Sequence, residues 1–131
     1  MYYRYLYFEE DGRVLYALTP SPPHEMFRRF LKCCLSYSRE RGDSTYHDPA
    51  AVWGTYQVHK RHVTVMARQA WQYVKLELTI QPNSVHGRYG MLSFDRHITS
   101  ASGNFDSEWA SDCVYFDVPE EPFRFVKDKR L

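Results

Sequence analysis

Met1 to Thr19 read MYYRYLYFEEDGRVLYALT, two runs dense in aromatic and aliphatic residues on either side of the tetrapeptide EEDG. An Asp-Gly pair between apolar runs signals a β-hairpin, because glycine accepts the positive φ that a tight turn requires. The expected hairpin covers residues 2–18, with Tyr3, Tyr5 and Tyr7 on one face and Leu6 and Phe8 on the other. Since both faces are apolar, the sheet should be covered on two sides here. A tyrosine can bury its ring and keep its hydroxyl at a wet edge, so these tyrosines are read as strand residues at a core boundary and not as reacting groups.

The whole chain sets limits on what can surround that hairpin. At 131 residues it fits one domain, large enough to bury roughly two thirds of the surface its unfolded form exposes. Lys+Arg 17 against Asp+Glu 16 leaves a net charge of +1, which lacks the basic field of a nucleic-acid binder and the acidic excess of a disordered tail. A hydrophobic content of 44% with 17% aromatics argues against disorder and for sheet, where rings pack on a pleated surface. Cys33 and Cys34 are adjacent and Cys113 stands alone, which is no disulfide framework and suits a reducing compartment. No apolar run approaches the roughly 20 residues of a membrane span, and the aromatic N-terminus is unlike a signal peptide. The expectation is an intracellular, cytoplasmic and soluble monomer with no membrane span.

Beyond the hairpin the period changes. In TPSPPHEMFRRFLKCCL, Ser21 is the expected N-cap, Pro22 and Pro23 fit the first turn, and Glu25 complements the helix dipole. Met26, Phe27, Phe30, Leu31 and Cys34 fall on one face, with Arg28, Arg29 and Lys32 on the other, giving a helix from about Pro22 to Leu35. Residues 36–49 (SYSRERGDSTYHDP) mix charge, Gly, Asp, Ser and Pro without periodicity and read as a long surface loop. Strands then follow in close succession. The clearest is WQYVKLELTI, where Val74, Leu76, Leu78 and Ile80 alternate with Lys75, Glu77 and Thr79, so that the apolar set points inward. A second polar loop, ASGNFDSEWASD, precedes CVYFDV and, after PEEP, FRFVKD. The resulting fold class is all-β, an antiparallel, lipocalin-like barrel of about eight strands with one α-helix between strands 2 and 3; a β-sandwich is the alternative. The helix would cover an open end of the barrel or one face of the sheet.

Reacting groups are sparse. His59 and His62 form a His-x-x-His pair within HKRH, which His47, His86 or His97 could in principle complete as a metal site. The pair lies in an expected hairpin turn, and solvated turn histidines are the simpler reading. Cys33 and Cys34 lack Cys-x-x-Cys spacing, Cys34 falls on the apolar helix face, and the serines show no Gly-x-Ser-x-Gly elbow. No catalytic residue, metal site or cofactor is assigned. The basic helix face and the HKRH turn read as solvated surface. The two long loops carry Arg39, Arg41, Tyr46 and Trp109, residue types enriched at interaction hot spots, and these four are the candidate partner-binding residues.

Four segments together resemble the C-terminal domain of the F-box only protein nine family. They are YYRYLYFEEDGRVLYALTPSPP, WGTYQVHKRHVTVMA, VKLELTIQPNSVHGRYGMLSFDRHITS and the closing YFDVPEEPFRFVKDKRL. The most specific part is residues 2–20, a tyrosine-rich strand, an Asp-Gly turn, a second strand and a Thr-Pro step in that order. Next is the step from Gly54 to Tyr56, and last an approximate match at Pro122, Phe123, Phe125 and Val126. The resemblance implies a subunit of an SCF-type ubiquitin ligase, in which an F-box docks the chain on Skp1 and this domain faces the protein substrate. No F-box is found in residues 1–131, so Skp1 binding is not implied for them, and in such ligases the chemistry belongs to other subunits. The expected function is therefore a non-catalytic protein-recognition module. The alternative is a small β-barrel that binds an apolar small molecule in its interior.

Overall fold

The computed structural model describes residues 2–69, 72–81, 91–105, 112–119 and 122–123. The opening stretch forms β1 (Tyr3–Phe8) and β2 (Arg13–Thr19), paired antiparallel from Tyr3 opposite Thr19 to Phe8 opposite Val14. Its turn closes through Glu9 N–H donating to the Arg13 carbonyl at 2.8 Å, with Gly12 at φ +94°, the conformation for which the Asp-Gly pair was read.

Helix α1 (Pro23–Leu35) and two short strands, β3 (Tyr37–Ser38) and β4 (Asp43–Ser44), interrupt the sheet before β5 (Ala51–His59). From there β6 (His62–Gln69), β7 (Gln72–Gln81), β8 (Met91–Ser100) and β9 (Cys113–Phe116) follow as an antiparallel meander. The main sheet has seven strands in the order β1-β2-β5-β6-β7-β8-β9, curled into a half-barrel with β1 and β9 as its edges. The expected eighth strand falls largely outside the described residues, although Phe123 pairs with Leu92 along the β8 edge. Within the segment 36–49, read as a long surface loop, Tyr37–Ser38 and Asp43–Ser44 pair as the short β3–β4 hairpin.

Two apolar clusters lie on opposite sides of the first strands. Inside the curl, Val14, Tyr16, Val63, Val65, Val74, Leu76, Leu78 and Phe94 pack with Leu6 and Phe8. The inward register read for Val74, Leu76 and Leu78 is the observed one, Ile80 packs against the same cluster, and Lys75, Glu77 and Thr79 remain partly exposed. On the convex side, Leu15 and Ala17 meet Met26, Phe30 and Cys33 of α1, flanked by Tyr5 and Tyr7. Both tyrosine rings stand edge-on to Phe30, with centroids 6.2 Å away, and Tyr5 Oη donates to the Ser21 carbonyl at 2.7 Å. The helix thus covers one face of the sheet, the convex one. Its buried stripe is Met26, Phe30 and Cys33; Phe27, Leu31 and Cys34 flank it at intermediate burial. The N-cap is Pro22 and not Ser21, whose hydroxyl accepts from Thr19 and from Arg29.

Gly54 marks the closest approach in the curl. A Cβ there would stand 2.3 Å from the Met66 carbonyl oxygen and 2.9 Å from Ala67 Cβ, so the ladder between β5 and β6 leaves no room for a side chain. Gly54→Ala is expected to destabilise the domain by about 2 kcal/mol, lowering the thermal midpoint by roughly 5 to 10 °C in a calorimetric scan.

Candidate functional site

The hairpin inserted between α1 and β5 is fastened at its root. Asp48, with no exposed side-chain surface, accepts two hydrogen bonds from Arg29, from Nε to Oδ2 and from Nη2 to Oδ1, each 2.5 Å long. The same carboxylate accepts from Ala50 N–H at 2.9 Å and from Tyr46 Oη at 3.3 Å. Burial pushes the Asp48 carboxyl upward, but the paired Arg29 bonds, the Ala50 N–H and the Arg29 charge outweigh it and hold the group below the usual carboxylate range. Arg29 is correspondingly raised, first by its bonds to Asp48. Higher in the hairpin, the buried Ser44 hydroxyl donates to the Cys33 carbonyl and accepts from Trp53 Nε1 at 3.0 Å. The Arg13 guanidinium sits 3.5 Å from the Tyr37 ring centroid and 4.7 Å from that of Trp53, and Asp11 pairs with it at 2.7 Å.

The root separates the candidate partner-binding residues into groups. Arg39 and Arg41 lie on the exposed tip with Glu40 and Gly42, and Arg41 pairs loosely with Asp43 at 3.3 Å. Tyr46 belongs to the root: it packs against the helix cluster, bonds to Asp48, and lies under Lys32 at 5.5 Å. Trp109 lies outside the described residues. Of the basic helix face, Arg28 and Lys32 are exposed as read, while Arg29 is turned into the ion pair with Asp48.

The nucleophile and metal candidates occupy ordinary positions. His59 and His62 face each other across the two-residue turn between β5 and β6, both exposed. Among the described residues no three His, Cys, Asp or Glu side chains gather as metal ligands do. Burial raises the thiol pKa of Cys33 and of Cys34, and the neighbouring Glu9 raises Cys34 further, so both thiols stay protonated near neutrality. Among the described residues no helix is long and apolar enough to cross a membrane.

A second polar feature lies at one end of the concave face and was not singled out from the sequence. Arg4 shares its parity on β1 with Leu6 and Phe8 and therefore points inward. It reaches across the curl to β8, where its Nη2 stands 3.4 Å from His97 Nδ1 and its guanidinium lies 5.4 Å from the Phe94 ring centroid. His97 is buried and stacks on Phe116 of β9 at 4.7 Å. Burial, and secondarily the Arg4 charge, lower its pKa to about 4, so the imidazole is neutral at physiological pH. The signal in the sequence was a lone charge within a strand of otherwise aromatic and aliphatic residues.

These features define an all-β half-barrel whose convex face carries one helix and an anchored hairpin. No family model, curated protein or solved structure matches the chain.

His97 and Asp48, both buried, give separate pH windows. An unfolded histidine takes a proton near pH 6.5, whereas folded His97 resists it until about 4, so stability is complete above 6.5 and falls as the pH drops through this window. At 1.36 kcal/mol per pKa unit the loss should approach about 3 kcal/mol, and His97→Gln should remove that slope from a plot of thermal midpoint against pH. Asp48 acts lower. Its folded pKa is depressed, so its contribution is present above the unfolded carboxylate value near 4 and disappears as the pH falls through the folded value. At neutral pH, Asp48→Ala should cost on the order of 3 kcal/mol in urea unfolding, because among the described residues it leaves Arg29 with only the longer contact to Glu25 and the bond to Ser21.

Proposed function

We propose that this domain is a non-catalytic protein-recognition module, the substrate-facing part of an SCF-type ubiquitin ligase adaptor, and that it binds its protein partner through the tip of the β3–β4 hairpin. The observation that carries the binding half is the contrast between root and tip. Ser44 and Asp48 are buried and hydrogen-bonded, whereas Arg39, Glu40, Arg41 and Gly42 are exposed. A loop held at its root loses less conformational freedom when a partner orders its tip, so more of the contact energy appears as affinity. Arginine suits the role, since its planar fork pairs bidentately with carboxylates and it is enriched at hot spots. An acidic segment of a protein partner is the matching chemistry. The ligase half is supported by the resemblance of the opening hairpin, the step from Gly54 to Tyr56 and the closing segment to the F-box only protein nine family. Skp1 would be engaged by an F-box and not by this module.

Arg39→Glu combined with Arg41→Glu should abolish partner capture in affinity purification, with the thermal midpoint unchanged to within a few degrees, because exposed side chains contribute little to folding. Captured proteins should also live longer in cells expressing the double variant, as expected of ligase substrates. Capture that survives at the hairpin but is lost on reversing Arg28 and Lys32 would move the site to the helix. Capture without any change in lifetime would remove the ligase context.

A further inference from the structure

At one end of the half-barrel a cation with no carboxylate partner among the described residues adjoins exposed apolar side chains. Arg4 Nε is buried and donates to no acceptor, and the polar contact of the guanidinium is to a neutral imidazole nitrogen. Among the described residues no carboxylate lies within ion-pair distance of Arg4, although seven such pairs form elsewhere. Arg4 is half-buried, and a guanidinium N–H withdrawn from water without an acceptor is costly; the cost falls when an anion supplies one.

The surroundings of Arg4 are apolar and incompletely covered. Leu18 is its cross-strand partner on β2 and shares its inward side, while Phe116 and Val114 share the inward side of β9 through their pairing with His97 and Thr99. Residues on this side are buried in mid-sheet, as Tyr16, Leu76 and Phe94 show, yet Leu18, Val114 and Phe116 are 43%, 51% and 47% exposed. Inward-facing aliphatic and aromatic surface thus stands exposed on the strands that flank a guanidinium with no carboxylate partner among the described residues.

We propose that this rim binds a monocarboxylate with an aliphatic body, its carboxylate on Arg4 and its body on Leu18, Val114 and Phe116. Charge selects the head group. Because His97 is neutral, the rim offers one positive charge among the described residues, which matches a carboxylate and underserves a phosphate dianion. The guanidinium fork matches the two carboxylate oxygens in shape as well. This site lies on the concave side and is independent of the hairpin tip on the convex side, so either can fail without the other.

Titration of the whole chain with dodecanoate, dodecanol and dodecyl phosphate, followed by calorimetry and by NMR of the His97 ring and the Arg4 Nε–H, tests the proposal. Dodecanoate should saturate at one equivalent, shift both reporter signals, and bind about tenfold tighter than the alcohol. Arg4→Gln should remove that tenfold preference, and Arg4→Lys should keep part of it. Equal binding of acid and alcohol, a tighter dodecyl phosphate, shifts confined to other residues, or no saturable binding would each overturn it. Should Arg4→Gln fail to fold, the ligand series on the unaltered chain decides alone.

Discussion

Strand β2 is shared by two cores, and the architecture depends on that. Val14 and Tyr16 point into the curl while Leu15 and Ala17 point at the helix, and all four are buried. From Val14 to Ala17 the strand has no wet face, which suits a sheet that curls over one side and a helix that covers the other. Its neighbour β1 lies at an edge, and there the tyrosines serve both needs: rings against Phe30, and in Tyr5 a hydroxyl that reaches the Ser21 carbonyl. The tyrosines of β1 are therefore the composition of an edge strand half-buried on both faces.

Charge is used in opposite ways on the two sides of this strand pair. On the convex side Arg29 and Asp48 neutralise each other and convert a polar segment into a fixed hairpin. A carboxylate that is fully buried must be paired and hydrogen-bonded, and Asp48 meets both conditions with Arg29, Ala50 and Tyr46. On the concave side, among the described residues, Arg4 meets a histidine in place of an acid. The first arrangement is complete within the chain. In the second, Arg4 Nε has no acceptor among the described residues.

How far the fold could be read depended on the range of the interactions involved. The β1–β2 hairpin and the alternation of β7 were legible because turn geometry and side-chain period are local. The helix was legible for the same reason, though its buried stripe moved from Cys34 to Cys33 and its cap from Ser21 to Pro22. Ser21 has the chemistry of a cap, but Arg29 and Thr19 already use its hydroxyl. The hairpin at 36–49 was not legible, since what orders it is an ion pair and a Ser44 bond to elements distant in sequence. Of the candidate site, Arg39 and Arg41 were placed on an exposed tip as read, whereas Tyr46 holds the root. Arg4 was passed over although its parity with Leu6 and Phe8 was visible, because its partner His97 is 93 positions away.

The strand order also bears on how the chain acquires its shape. From β5 to β8 each strand pairs with the next in sequence, so those contacts close only short loops. The pairing of β2 with β5 is different, because the helix and the hairpin lie between them. Loop-closure entropy rises with the logarithm of the intervening length, which makes this junction the most expensive neighbour contact in the sheet before packing compensates for it. The helix recovers that cost, since Met26 and Phe30 shorten the effective loop as soon as they settle on Leu15 and Ala17. The insertion that interrupts the meander is thereby also the element that brings its two parts within reach of each other.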